Sequence, residues 1–332
     1  EEIESAQAAD AAFVESCEAC MEELHRLCTA ALSGPEYRLA PFDWSPDVRL
    51  DRFGSTMQGT ALRGSDVDVR LSFEQFAVHG GARQLRYLQA VASHPSEHFE
   101  VVRMVQGRLP VLRLRFQGRL EVDLTMGDDM EGGAEVDRVV RKLLDEAADD
   151  GARRFVRLIK VFAKAHGLVD AYGGYLNSVS WSFLAMNFLQ MEGCLPPHCE
   201  LPPEAPAHHL WPVRPTAALL ARFFAFVEAC GGHRYQLTLA AAKGGAVRGP
   251  RPQEGWGQPL LVSHPRESTW NLAQSLRPAR WRETLDVCVM ARAVFNSLAV
   301  GRAAEGSLER LFQPRSEHAV AAVAPGASVA RP

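Results

Sequence analysis

Three aspartates stand where a folded chain could bring their carboxylates together. Asp66 and Asp68 are two residues apart at a run that predicts a strand, Val67–Leu71, and Asp123 lies in a second such run, Leu120–Leu124. Because side chains alternate along a strand, the aspartates take one face while the valines and leucines face a core. If the two strands are neighbours, the three carboxylates converge on one side of a sheet.

Carboxylates packed this closely repel one another unless a cation lies between them. Oxygen ligands favour Mg²⁺ or Mn²⁺. Two such ions about 4 Å apart can bind an attacking hydroxyl and the leaving oxygens of a triphosphate. We therefore predict that Asp66, Asp68 and Asp123 are catalytic and hold two Mg²⁺ (or Mn²⁺) ions.

A glycine–serine pair precedes these aspartates by a short distance. Gly54 and Ser55 fit a tight turn whose backbone N–H groups and hydroxyl contact a phosphate. A lone Asp-x-Asp is more often a plain exposed strand face. Here the turn and the later Asp123 accompany it, and the combination favours a catalytic site.

The rest of the chain must supply a sheet and the helices that cover it. The hydrophobic pattern predicts one long helix over residues 5–33. Residues 48–126 predict a small mixed α/β unit with a helix around 82–93, and the pattern turns helical again over 134–165. Further helices are predicted near 177–191, 216–230 and 279–300.

These patterns predict an α+β fold in which a mixed sheet domain is followed by a mainly helical domain. Segments 192–215 and 243–266 are rich in proline and glycine and predict loops. The expected divisions are residues 1–34 as an N-terminal helix packing on the C-terminal domain, 35–130 as the catalytic domain, 131–316 as the helical domain and 317–332 as a flexible tail.

Composition excludes several classes of function. The net charge of −4 argues against a broad basic nucleic-acid surface and allows only a local basic cleft. No apolar run reaches the ~20 residues that cross a bilayer, so we expect no membrane partner. The acidic first residues match neither a secretory signal nor an Arg-rich transit peptide, which leaves the compartment open. The expected location is intracellular, with the cytoplasm as the default.

The cysteines favour packing over metal binding. Seven cysteines without a paired framework suit a reducing compartment. Cys17 and Cys20 form a C-x-x-C near Cys28, but they lie in an amphipathic helical pattern, where buried thiols are favoured over zinc. Zinc is again the minority interpretation for the Cys- and His-containing segment 194–209.

The order of the motifs in the first half resembles a known superfamily. Gly54-Ser55, ten intervening residues, Asp66-x-Asp68 and a later Asp123 flanked by hydrophobic residues are similar to the signature of DNA polymerase β-type nucleotidyltransferases. This resemblance implies a polymerase β-like nucleotidyltransferase domain.

The helical half narrows the resemblance. Arg157–Gly167, Tyr175–Gln190 and Leu261–Leu276 resemble segments of noncanonical poly(A) polymerases and terminal uridylyltransferases. No large domain is inserted between Asp68 and Asp123, which resembles the minimal kinetoplastid terminal uridylyltransferases. A helical domain of the poly(A) polymerase type is implied, with the nucleotide in the cleft between the domains.

The resemblance also implies which residues bind the nucleotide. Lys160 and Lys164, four apart on one helix face, would neutralise the β- and γ-phosphates, and Ser178 would contact the triphosphate. The implied nucleotide-binding residues are Gly54, Ser55, Lys160, Lys164, Asn177, Ser178, Val179, Glu267 and Trp270.

Several positions depart from the family pattern around the base. Val179 stands where the family usually has a tyrosine stacked on the base, and His264 replaces an aspartate. Trp270 takes the place where several uridylyltransferases carry a histidine that disfavours ATP, and a bulky indole could block a purine. The ribose-contacting pair of the family is expected near Asp137–Val139, where it is not matched.

The function that the resemblance implies is uridylyl transfer from UTP to the 3′ end of single-stranded RNA. A noncanonical poly(A) polymerase using ATP is the alternative, and an inactive RNA- or partner-binding scaffold is a third. A larger RNA-processing complex that supplies RNA affinity, and a mitochondrial location, are implied if the kinetoplastid editing-type resemblance holds.

Overall fold

The structure is a computed structural model with two hydrophobic cores, one around a sheet and one in a helical half. The residues that it describes are 8–37, 46–74, 76–106, 109–127, 133–196, 210–232, 235–239, 246–248, 258–265, 270–304 and 306–313. The mixed sheet followed by helices confirms the predicted α+β class.

A five-stranded sheet with the order β1-β2-β5-β4-β3 carries the predicted aspartates. Strands β2 and β5 pair in parallel and the other neighbours are antiparallel. Alternation in β2 buries every second residue in the core, which forces the residues between them onto the opposite face. The strands are β1 (Val48–Phe53), β2 (Val67–Phe73), β3 (Phe99–Val105), β4 (Val111–Phe116) and β5 (Leu120–Met126).

Two helices cover the core face of this sheet, opposite the aspartates. They are α1 (Ala11–Ala31) and α3 (Gly81–Ser93), and a short helix α2 (Ser55–Gln58) lies between β1 and β2. The side chain of Asp10 caps α1 by accepting a hydrogen bond from the Phe13 N–H at 2.9 Å.

The expectation that the N-terminal helix packs on the C-terminal domain is wrong. The buried stripe of α1, which includes Cys17, Cys20 and Leu24, belongs to the same core as Val67 and Val122 of the sheet. The physical reason is that the apolar face of the sheet is wider than α3 alone can cover, and an amphipathic stripe does not specify which apolar surface it will meet.

The helical half surrounds α6, which is apolar on nearly all sides and therefore lies at the centre. Trp181 and Phe183 of α6 and Phe155 of α5 are fully buried in this core. The helices are α4 (Gly133–Asp145), α5 (Gly151–Ala165), α6 (Ser178–Met191), α7 (Ala217–Gly232), α8 (Pro278–Ala299) and α9 (Ser307–Phe312).

A second, small sheet lies within the segment for which the sequence predicts loops. Its order is β7-β6-β8, formed by β6 (Tyr235–Leu237), β7 (Ala246–Arg248) and β8 (Leu261–Val262). Strands of two or three residues are held by their neighbours rather than by their own pattern, so the Pro- and Gly-rich composition concealed them.

The described cysteines are buried free thiols. Burial raises the pKa of Cys20 and of Cys28 to about 12, so both remain protonated packing groups at neutral pH. Of the segment 194–209, residues 197–209 lie outside the described residues. Among the helices that the structure describes, none is long and apolar enough to span a membrane.

The packing of α1 on the sheet can be tested by cavity formation. We expect Leu24→Ala to lower the free energy of unfolding by about 2–5 kcal/mol, because Leu24 is fully buried between the helix and the sheet. Val14→Ala on the exposed side of the same helix is the control and should change it by less than about 0.5 kcal/mol. Urea unfolding measures both, and equal small effects would contradict this packing.

Candidate active site

The structure brings the three predicted aspartates to one face of the sheet. Asp68 in β2 and Asp123 in β5 are direct register partners across the parallel strand pair. Asp66 immediately precedes β2 and its side chain is 51% exposed, whereas that of Asp123 is 16% exposed. The pairing of β2 with β5 is therefore what joins the two sequence motifs into one site.

Gly54 forms the turn that leads into the site, and two features require glycine there. Its φ of 73° and ψ of −150° lie in a region that residues with a Cβ rarely adopt. A Cβ at this position would also overlap the carboxylate of Asp68. Ser55 then begins α2, so the predicted turn packs directly against the Asp68 carboxylate.

Asp137 holds this turn from the helical half. Its carboxylate accepts hydrogen bonds from the Gly54 backbone N–H and from Gln58 Nε2, both at 2.7 Å. The ribose-contacting pair of the family is expected near this position, where the sequence does not match it, and the Asp137 side chain is buried under the turn. A carboxylate bordering the apolar face of α4, beside Val136 and Val140, is the signal that could have identified it.

Burial and neighbouring negative charges strongly disfavour the ionised form of Asp68. Burial, and then the charges of Asp66, Asp123 and Asp137, raise the pKa of Asp68 to about 8, and Lys160 opposes that shift. Four carboxylates in one region are therefore incompletely neutralised by the side chains around them. This is the environment that a divalent cation relieves.

Lys160 reaches the site from helix α5. Its Nζ donates to the Thr60 carbonyl oxygen at 2.8 Å and to Thr60 Oγ1 at 3.2 Å, which bridges the two halves of the chain. Burial lowers the pKa of Lys160 to about 8, and the charges of Asp68 and Asp66 act against that shift. Lys164, one turn later on the same helix, is exposed. Lys160 is thus a buried neighbour of the aspartates rather than part of a solvated helix face.

Arg113 is a residue of the site that the sequence reasoning missed. It lies in β4 opposite Asp123, and its Nε and Nη2 donate to the two Asp123 carboxylate oxygens at 2.7 and 2.6 Å. Its Nη2 is also 3.9 Å from Asp66 Oδ2. The short connection between β4 and β5 fixes this register, so counting back from Asp123 across the hairpin is the signal that could have found it.

The carboxylate ligands suit a divalent cation, but one of them, Asp123, is paired with Arg113. Asp66 and Asp68 supply hard oxygen ligands, and the raised pKa of Asp68 reflects charge that a cation would neutralise. Within the described ranges, no group of three or more His, Cys, Asp or Glu side chains is arranged to hold a metal ion. Both oxygens of Asp123 accept hydrogen bonds from Arg113.

Most of the remaining predicted nucleotide-binding residues lie at the start of α6 and in an adjacent hairpin, which the antiparallel bridge between Ser263 and Asn271 defines. Asn177 caps α6 by accepting from the Ser180 N–H at 2.7 Å, and its Nδ2 donates to the Leu272 carbonyl at 3.1 Å. Ser178 is the first residue of this helix, where N–H groups favour anions. Val179 is half-buried against the helical core.

The hairpin places two aromatic rings together near the start of α6. His264 and Trp270 stack with ring centroids 5.2 Å apart and an interplanar angle of 16°. The Leu272 carbonyl, two residues beyond Trp270, is the acceptor for Asn177 and for Ser180 Oγ. Glu267, also predicted to bind the base, lies outside the described residues.

The sheet domain is similar in sequence to a known family of polymerase domains. Residues 37–131 match the model of the central palm domain of poly(A) RNA polymerase, mitochondrial-like. Residues 37–131 are therefore similar to the palm domain of a poly(A) RNA polymerase family. The match contains the Gly54 turn and all three aspartates, which the geometry had already brought together.

Two relatives from fungi belong to the same polymerase family. The chain is 23% identical over 147 residues to poly(A) RNA polymerase CID14 of Cryptococcus neoformans, covering 44% of this chain and 19% of that protein. It is 26% identical over 153 residues to poly(A) RNA polymerase protein 1 of Eremothecium gossypii, covering 45% and 23%. The chain therefore spans about a fifth of the length of these relatives.

Solved structures of nucleotidyltransferases share the fold over nearly the whole chain. The Cid1 poly(U) polymerase bound to Mg and 3′-dATP gives a TM-score of 0.71 at 19% identity, covering 94% of this chain and 96% of that one. The mitochondrial polymerase mtPAP in complex with GTP gives 0.66 at 14% identity, covering 94% and 71%. The helical half is thus arranged on the palm domain as in both polymerases.

A comparison with Gly118 tests the close contact between the Gly54 turn and Asp68. Gly54 and Gly118 have nearly equal positive φ values, 73° and 69°, but a Cβ at Gly118 meets no atom within 4 Å. We expect Gly118→Ala to cost about 1–2 kcal/mol of unfolding free energy, from strain alone. Gly54→Ala should cost clearly more, since its ψ of −150° is hardly accessible to a residue with a Cβ and the added Cβ also displaces Asp68. Chemical denaturation compares the two. Equal losses would show that the contact with Asp68 is unimportant.

Repulsion at Asp68 predicts a variant that is more stable than the parent without metal. A carboxyl whose folded-state pKa is raised loses stability as the pH rises from its unfolded value of 3.8 towards about 8. We expect Asp68→Asn to raise the unfolding free energy by about 1–3 kcal/mol at pH 8 in EDTA, and by less at pH 5.

Urea unfolding at the two pH values measures this. Asp51→Asn on the edge strand β1 is the control, because Asp51 pairs with Arg49 rather than facing other carboxylates within the described residues. Mg²⁺ should stabilise the parent protein and the control more than Asp68→Asn. A destabilised Asp68→Asn at both pH values would contradict the repulsion.

Proposed function

We propose that this chain transfers UMP from UTP to the 3′-hydroxyl of single-stranded RNA without a template. The observation that carries the proposal is the convergence of Asp66, Asp68 and Asp123 on one face, with Lys160 reaching them from the helical half. Carboxylates on one side and a buried lysine on the other can bind a triphosphate for in-line nucleotidyl transfer to a hydroxyl.

In the proposed reaction, the 3′ oxygen of the primer bonds to the α-phosphorus and the bond to the β-phosphate oxygen breaks, releasing pyrophosphate. Lys160 and Lys164 neutralise the β- and γ-phosphates, and Ser178 and the α6 N-terminus donate to phosphate oxygens. Asp123, at the primer side, accepts the proton of the hydroxyl. Held by Asp66, Asp68 and Asp123, two divalent cations would supply charge neutralisation at the triphosphate and activate the hydroxyl.

The position of Trp270 supports UTP over ATP. Its ring is held in a stack with His264, and its hairpin is bound to the start of α6 through Leu272. In this proposal the indole narrows the base pocket next to Val179, so that a pyrimidine fits and a purine meets the ring. Exclusion by size can discriminate strongly when the excluding group cannot move aside.

The partner that supplies RNA affinity belongs to the same proposal. A net charge of −4 provides little long-range attraction to RNA, so we propose that a larger RNA-processing complex delivers the primer. Location in the mitochondrion is consistent with the likeness to mtPAP.

Primer extension tests the reaction and the nucleotide together. We expect the protein to extend a single-stranded RNA with Mg²⁺ and UTP, and ATP to be used at least about tenfold less efficiently in kcat/KM. Preference for ATP would overturn the choice of UTP while leaving nucleotidyl transfer intact. Failure with every nucleoside triphosphate would overturn the reaction itself.

A matched pair of tryptophan variants tests the base pocket. Trp270→Ala should raise the efficiency with ATP relative to UTP about tenfold, because the pocket gains room for a purine. Trp211→Ala, an exposed tryptophan elsewhere in the helical half, is the control and should leave the ratio unchanged. An unchanged ratio in Trp270→Ala would show that other residues select the base.

A further inference from the structure

Four side chains form a row across the active face of the sheet, which we call the cross-strand row: Asp68, Asp123, Arg113 and Arg103. Each is the register partner of the next, on β2, β5, β4 and β3. Neighbouring strands lie about 4.8 Å apart, so the row runs straight from the metal-binding carboxylates to the edge of the sheet.

Arg103 lies on the same face as Arg113 despite the bulge in β3. The register shift falls between Val101 and Arg103, after which Arg103 faces Arg113 and Met104 faces Leu112. Met104 packs against the core of the sheet, so Arg103 before it takes the active face. The Arg103 side chain is exposed, and it makes no ion pair with any residue that the structure describes.

Arg103 and Arg113 repel each other across the strand pair unless an anion binds between them. Like charges directly opposite each other on antiparallel strands are destabilising. Within the part of the chain that the structure describes, Arg113 pairs with Asp123 and, at 3.9 Å, with Asp66, and the charge of Glu121 also acts on it. Two residues along the same strand, Arg115 lies between Glu100 at 3.3 Å and Glu121 at 3.4 Å. Arg115 is therefore neutralised by its neighbours, whereas the row ends in excess positive charge.

Arg113 also supplies positive charge between Asp66 and Asp123, where a metal cation would otherwise neutralise the carboxylates. One of its nitrogen atoms lies within 4 Å of carboxylate oxygens of both Asp66 and Asp123. A bidentate guanidinium occupies both oxygens of Asp123. A metal ion or a hydroxyl proton at Asp123 therefore competes with Arg113 for these oxygens, and the competition ends when Arg113 moves to another anion.

The position of the row points to the primer rather than to the triphosphate. Lys160 contacts Thr60, on the side of the aspartates formed by the Gly54 turn and β2. Arg113 and Arg103 lie on the other side of the aspartates, on β4 and the edge strand β3. Phosphates bound by the lysines and phosphates bound by the row would thus belong to opposite sides of the reacting centre.

We propose that Arg113 and Arg103 bind the backbone phosphates at the 3′ end of a single-stranded RNA, and that Arg113 exchanges Asp123 for the primer phosphate, so that the arriving RNA frees the third carboxylate. The proposal rests on the proposed function, since it assigns the primer of that reaction to the row. Arg113 is a positioning residue here, because it acts through Asp123 and the primer.

Linkage gives the exchange a measurable sign. If RNA and metal both favour the state in which Arg113 has left Asp123, each must tighten the binding of the other by the same factor. Removing the Asp123 carboxylate should release Arg113 and tighten RNA binding even without metal. A purely structural ion pair predicts neither effect.

The experiment measures the binding of a labelled single-stranded RNA by fluorescence anisotropy, without nucleotide, at constant ionic strength. Arg103→Gln should raise the Kd about three- to tenfold and reduce the salt slope of log K by about 0.7, the value for one phosphate contact on a single strand. Arg113→Gln should also weaken binding and abolish the tightening by Mg²⁺ that the parent shows. Arg115→Gln is the matched control on the same strand and should retain that tightening.

Two aspartate variants separate the exchange from simple charge removal. Asp123→Asn should tighten metal-free RNA binding more than Asp66→Asn, although both remove one charge near Arg113. The gain should vanish in the double variant Arg113→Gln/Asp123→Asn. Circular dichroism confirms folding, and Arg103→Gln alters only an exposed side chain, so the phosphate contact is tested even if a variant at Arg113 fails to fold.

Three results would overturn the proposal. RNA affinity unchanged in both Arg113→Gln and Arg103→Gln would leave the pair as structural. A rise in the KM for UTP with unchanged RNA affinity would assign the row to the triphosphate. Equal effects of Asp123→Asn and Asp66→Asn would exclude the exchange. Because binding is measured without nucleotide, a parent protein that binds RNA through the row but extends it with no nucleotide would overturn the proposed function alone.

Discussion

Repulsion between carboxylates on one sheet face is the constraint on which the rest of this structure depends. Alternation in β2 and β5 buries the valines and leucines, and a shift of one residue would turn them all to the solvent. The core therefore fixes Asp68 beside Asp123, although the two charges oppose each other. Positive groups must come from outside these two strands, and they do: Arg113 from the adjacent strand and Lys160 from the helical half.

The two halves of the chain are joined at this same region. Asp137 holds the Gly54 turn from α4, and Lys160 holds Thr60 from α5. Both bonds end within a few residues of the turn that touches Asp68. The same bonds support the turn and join the sheet to the helical half, so the relative position of the halves and the geometry of the aspartates are set together.

Features with a strong local pattern were predictable from the sequence, and features that depend on distant partners were not. Alternation in β2 and β5 placed the aspartates on one face, and helical periodicity located most helices. The edge strands β1 and β3 lack that alternation because they are only partly buried. The roles of Arg113 and Asp137 depend on strand register and on a contact across 83 residues, respectively. Spacing along the chain gives the Arg113 register only once the hairpin of β4 and β5 is recognised, and it does not give the contact of Asp137.

The long separation between the turn and its supports has a consequence for how the protein is made. Gly54 and Thr60 leave the ribosome 83 and 100 residues before the side chains that hold them. The sheet, whose strands end at Met126, can pair while α5 is still being synthesised. The nascent palm thus carries its acidic cluster before Lys160 exists to balance it. Assembly of the catalytic turn is a late folding event, which follows the completion of α5.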